Sequence, residues 1–98
     1  MKPFVYFEGN KKKKINVIVC DSLFKKIRGL MFKKNSLPLL FILDKEKTFF
    51  IHSFFCRPFE AIWLDNKKRV IKKELVKPYT PIIKGKGKYL IERLISSF

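Results

Sequence analysis

The 98-residue sequence holds a single histidine, His52, set among phenylalanines in the run Phe49 to Phe55 and followed closely by Arg57 and Glu60. Together these three supply the parts of an acid–base site. An imidazole would act as general base, a carboxylate would orient it, and a guanidinium would polarise a substrate oxyanion, provided all come within hydrogen-bond reach. The spacing also carries a plainer reading. In an extended Phe49 to Phe55, His52 shares a face with Phe50 and Phe54, and desolvation by two aromatic neighbours lowers an imidazole pKa and keeps it neutral. A lone histidine so placed is first a core residue with one hydrogen bond satisfied. No metal site is expected, because one histidine and the scattered Cys20 and Cys56 do not make a ligand set. The two cysteines form no C-x-x-C pair and are read as reduced, buried thiols.

A second set of residues points to binding rather than turnover. Lys11, Lys12, Lys13 and Lys14 form one basic run, and Lys84, Lys86 and Lys88 alternate with Gly85 and Gly87 in another. The chain has 23 Lys+Arg against 8 Asp+Glu, a formal net charge of +15, and a charge of that size on a small domain attracts polyanions with an affinity that falls as salt rises. Nineteen of the 23 positives are lysine, which meets phosphate as a point charge, whereas specific base readout leans on the planar fork of arginine. The expected contact with RNA or DNA is therefore nonspecific. Aromatic side chains interleaved with lysine can stack bases. Tyr6, Tyr79 and Tyr89, flanked by Lys2, Lys77, Lys84, Lys86 and Lys88, are the candidates, while Phe49, Phe50, Phe54, Phe55 and Trp63 are needed for a core.

Elements that could position these groups follow from periodicity. Pro3 to Glu8 and Lys14 to Cys20 flank Gly9-Asn10 as a hairpin, with Ile15, Val17 and Val19 on one face. Asp21 and Ser22 offer N-cap oxygens to a short amphipathic helix over residues 22–31, whose apolar face is Leu23, Ile27, Leu30 and Met31. Pro38 blocks any continuation of that helix. Leu39 to Leu43 and Thr48 to Phe55 read as a second hairpin around Asp44-Lys45-Glu46-Lys47. A third joins Glu60 to Leu64 with Arg69 to Val76 through Asp65-Asn66. Lys84-Gly85-Lys86-Gly87 reads as a flexible basic loop before a last strand or strand-helix from Lys88 to Ile95. The fold class expected is mainly β (α+β): a single compact domain over 1–98, with about seven mostly antiparallel strands in a curled, barrel-like sheet and one short helix.

The words Asp21-Ser22, Arg28-Gly29-Leu30-Met31-Phe32, and Ile51-His52-Ser53-Phe54-Phe55-Cys56-Arg57-Pro58-Phe59-Glu60-Ala61-Ile62-Trp63-Leu64-Asp65 occur in the order that resembles the family catalogued as domain of unknown function 192. Lys88-Tyr89-Leu90-Ile91-Glu92 is similar to its closing strand, and the resemblance runs from about Ile15 to Leu94. This chain has Glu60 where the family usually has aspartate. The resemblance implies a compact, mainly β domain of uncharacterised function and brings no agreed catalytic residues.

No Gly-x-Gly-x-x-Gly, phosphate-loop or His-Glu-x-x-His signature is present, so no cofactor is expected. The longest charge-free runs are far below the ~18 apolar residues that span a bilayer, and no secretory h-region is seen, so a cytoplasmic protein without membrane contact is expected. The sequence thus favours a small noncatalytic module binding polyanions. The alternative is a small-ligand-binding or hydrolase-like enzyme with a cleft near His52, Arg57 and Glu60. A third reading is an assembly partner displaying a phenylalanine patch.

Overall fold

A computed structural model describes residues 2–20, 37–51, 58–77 and 79–95. The expected helix over 22–31, His52, Arg57 and Cys56 lie outside the described residues. Among the described residues six strands build the fold: β1 (Lys2–Glu8), β2 (Lys11–Cys20), β3 (Leu39–Ile51), β4 (Phe59–Leu64), β5 (Val70–Val76) and β6 (Ile83–Leu94). They form one sheet in the order β1-β2-β3-β6-β4-β5, antiparallel throughout except for β2 beside β3. The Cα radius of gyration is 12.5 Å, the value of a compact domain of about 100 residues.

Local chemistry explains the two tight hairpins. Gly9, with φ of 60°, takes the first position of the two-residue β1–β2 loop, the conformation a type II′ turn demands and only glycine adopts freely. Asp65 organises the β4–β5 turn. Its Oδ1 accepts from the Lys67 and Arg69 backbone N–H groups at 2.8 and 3.0 Å, and its Oδ2 from the Arg69 guanidinium at 3.1 Å. Lys68 closes the turn at φ of 64°. Burial pushes the Asp65 carboxyl up, but the hydrogen bonds from Arg69 and Lys67 outweigh it and hold the group below its ordinary value.

Two expectations about the middle of the sheet are corrected. Leu39 to Leu43 and Thr48 onward are not a hairpin around Asp44 to Lys47; they are one strand, β3, and the described residues hold six strands, in line with the expected number of about seven. Pairing with β6 slips between Ile42, opposite Tyr89, and Lys47, opposite Gly87, so the polar segment is carried as a bulge. It contains no glycine, asparagine or proline to reverse the chain, and an Asp44–Lys47 ion pair of 3.2 Å spans it. Nor is Lys84-Gly85-Lys86-Gly87 a loop; it pairs with Lys47 to Phe50 as the first half of β6. Gly85 is there because the Trp63 indole lies where its Cβ would be, and Gly87 because the Leu64 carbonyl does.

The sheet curls. β1 returns to the β4–β5 turn, where the Phe7 N–H donates to the Lys68 carbonyl at 2.8 Å and Phe7 bridges Arg69. The result is a half-barrel with a core on each face. Outside lie Cys20, Leu39, Phe41, Phe59, Ala61, Trp63 and Leu90, all buried. Inside lie Phe4, Tyr6, Val17, Leu40, Ile62, Leu64 and Ile91. Strands buried on both faces lose simple alternation, so β4 reads as an almost unbroken apolar run.

Candidate functional site

Residues that share the inner face with these apolar side chains meet at one mouth of the half-barrel as a chain of charges. Lys13 pairs with Glu8 at 3.0 Å, Glu8 with Lys73 at 3.1 Å, Lys73 with Glu60 at 3.7 Å, and Glu60 with Arg93 at 2.8 Å. The network ties β2, β1, β5, β4 and β6 together. Hydrogen bonds from Lys13 and then Lys73 hold the Glu8 carboxyl below its ordinary value, and Glu8 in turn raises the Lys13 ammonium. Glu60, a candidate partner for His52, is therefore engaged by two cations of the sheet. Half-exposed ion pairs contribute little each, so Glu60→Gln is expected to cost no more than about 1 kcal/mol, read as a small drop in the urea midpoint. A loss several times larger would show that the network holds the mouth closed cooperatively.

The two lysine groups do not converge. Lys11 lies seven residues ahead of Ile18, which pairs with Leu39 at the start of β3, whereas Lys84 pairs with Phe50 near the other end of β3. Lys11, Lys12 and Lys14 are exposed beside the ionic mouth, and Lys84 and Lys86 are exposed at the far end of the sheet. Lys84 also borders a groove of about 420 Å³ beside Lys72, Lys77, Leu75 and Ile82. Tyr79 stands exposed in the β5–β6 connection with φ of 60°, and Tyr6 is buried in the inner core.

The opposite mouth gathers Tyr89, Lys2 and Lys88 with two residues the sequence did not single out, Phe4 and Lys68. A pocket of about 340 Å³ opens here between Lys2, Phe4, Val19, Ile42, Lys68 and Tyr89. The Phe4 and Tyr89 rings meet at 5.6 Å, and the Lys68 ammonium sits 5.3 Å from one ring centre and 5.9 Å from the other. Lys88 lies 5.7 Å from the Tyr89 centroid. Nothing in the spacing of Phe4, Lys68 and Tyr89 foretells their meeting, because only the curl of β1 onto the β4–β5 turn creates it.

No family model matches the chain. Among curated proteins, it is 39% identical over 80 residues to a UPF0127 protein of Pyrococcus horikoshii, an alignment covering 78% of this chain and 70% of that one. The chain belongs to the UPF0127 family. A second UPF0127 protein, from Pyrococcus furiosus, is 33% identical over 88 residues, covering 84% of this chain and 74% of its own. Two crystal structures share the UPF0127 chain's fold. One, of a protein of unknown function from Novosphingobium aromaticivorans, has a TM-score of 0.81 at 14% identity and covers 96% of this chain and 73% of that one. The other, from Sinorhizobium meliloti and described provisionally as a transcription regulator, has a TM-score of 0.77 at 12% identity, covering 92% and 76%. At such identities the likeness shows the fold alone.

One residue of this UPF0127 chain was hidden in its closing strand. Glu92 points to the outer core between Leu39 on β3 and Ala61 on β4 and is only 5% exposed. No salt bridge among the described residues reaches it. Burial pushes its carboxyl up to about 8, which favours the protonated, neutral form at neutral pH. The signal available in the sequence was a carboxylate in step with Leu90 and Leu94, on the apolar face of the strand's second half. Among the described residues no group of acidic, histidine or cysteine side chains could hold a metal ion, and no helix is long and apolar enough to cross a membrane.

Proposed function

We propose that this protein is a small, noncatalytic, cytoplasmic binding module that contacts polyanions such as RNA or DNA through its lysines, and that its family is the one catalogued as domain of unknown function 192. One observation carries the reading. Lys11, Lys12, Lys14, Lys84 and Lys86 are exposed and enter no ion pair among the described residues, whereas Glu60, the described member of the candidate catalytic set, is engaged by Arg93 and Lys73.

Fluorescence anisotropy of a labelled single-stranded RNA 20-mer across a sodium chloride series tests this. The logarithm of the association constant is expected to fall linearly with the logarithm of salt, by about 0.7 per phosphate neutralised. Replacing Lys11, Lys12 and Lys14 together by glutamine is expected to make that slope shallower by about 2. An affinity flat in salt, or no binding at low salt, would refute the reading.

A further inference from the structure

We propose that the aromatic mouth of the half-barrel is a binding site for a small anion carrying a flat apolar ring, set apart from Lys11, Lys12 and Lys14, which stand at the opposite mouth. The ring would lie against Phe4 and Tyr89, and its carboxylate or phosphate beside Lys2 and Lys68, the two cations that line the pocket.

Three features support it. The pocket, at about 340 Å³, falls in the range of small-molecule sites, and its walls are apolar: Phe4, Val17, Val19, Leu40, Ile42 and Tyr89. No carboxylate lines it. Lys2, Lys68 and Lys88 enter no ion pair among the described residues, although Lys13, Lys47, Lys72 and Lys73 all do. Lys68 and Lys88 are partly compensated by the ring faces they approach, an attraction weaker than that of a full negative charge. An anion entering the pocket therefore meets cations that the protein has left available, and a cationic ligand would be repelled.

Lys68 is also held in place before any ligand arrives. Its backbone is fixed by the Asp65-centred turn, in which its N–H donates to the Asp65 carbonyl at 3.0 Å, and its own carbonyl accepts from Phe7 on β1 at 2.8 Å. The backbone of the central cation is thus anchored to both strands flanking the mouth, which reduces the ordering cost of binding. The aromatic rings and the hydrocarbon walls supply the affinity for a ring, and the lysines select its charge.

The test is a titration of the isotope-labelled protein with 2-naphthoate, followed by amide chemical shifts, with 2-naphthalenemethanol as the neutral control. Saturable shifts are expected at Phe4, Val17, Val19, Leu40, Ile42 and Tyr89, with the alcohol binding more weakly at the same amides. Lys68→Asn, which tolerates the positive φ, is expected to weaken naphthoate about fivefold and leave the alcohol unchanged. Lys2→Gln on β1 does the same without touching the turn. Shifts spread over lysines across the whole surface, shifts that never saturate, or naphthoate affinities unchanged in both variants would overturn the proposal.

Discussion

Gly85→Ala is expected to destabilise the fold by about 3 kcal/mol, lowering the urea midpoint by more than about 1 M. An alanine Cβ at this position falls inside the Trp63 ring, and Trp63 is fully buried in the outer core, so neither partner has room to yield. Either the indole leaves its rotamer and disturbs Leu90 and Ile83 beside it, or β6 moves away from β3. Gly9→Ala is the control. Nothing lies within 4 Å of its added Cβ, and the cost there comes only from a positive φ of 60°, about 1 kcal/mol. Near-UV circular dichroism reports the tryptophan environment directly, and the Trp63 band is expected to change in Gly85→Ala but not in Gly9→Ala. Equal midpoints for the two variants would mean that the ring moves aside freely and that the close approach is not what selects glycine at position 85.

That contrast explains which parts of the fold could be read from the sequence. Gly9 acts through its own φ and Asp65 on neighbours two to four residues away, so both hairpins they organise were legible as turn chemistry. Gly85 and Gly87 act on Trp63 and Leu64, more than twenty residues away, and a glycine selected by a distant ring looks in sequence like one selected for a flexible loop. Asp44 to Lys47 misled in the opposite sense. A polar run between apolar segments signals a turn locally, but here β6 continues to pair on both sides of it and the run bulges instead. The candidate site divides along the same line. Tyr89, Lys2 and Lys88 were identifiable by type and spacing, whereas Phe4 and Lys68 join them only after β1 curls back on the β4–β5 turn. Glu60 was read as a partner for a base, yet Lys73 and Arg93 converge on it through two strand pairings that no local pattern encodes.

Glu92→Gln is expected to make the protein more stable at alkaline pH, and by an amount that grows across the neutral range. The native carboxyl titrates at about 8 and the unfolded one near its ordinary 4.5, so between these values the native state holds a proton that the unfolded state has lost. Stability therefore falls as pH rises through this window, by about 1.4 kcal/mol per pH unit, and levels off above about 8 once both states are ionised. From pH 5.5 to pH 8 the loss attributable to Glu92 is about 3 kcal/mol, a large fraction of the 5–15 kcal/mol typical of a domain. Glutamine has the shape of the protonated acid and no charge to desolvate. Its variant should exceed the parent by about 1 kcal/mol at pH 5 and by about 4 kcal/mol at pH 8. The carboxyls of Glu8, Asp44 and Asp65 act in the other direction. Held below their ordinary values, they contribute stability that is present at neutral pH and lost on acidification through those lowered values. Since they are unchanged in the variant, the difference between the two proteins isolates Glu92. Urea titrations at half-unit intervals from pH 5 to 9 measure it. A constant difference across that range would mean that the Glu92 carboxylate is ionised in the native state and has a partner, which would make it a charged member of the outer core instead of a neutral one.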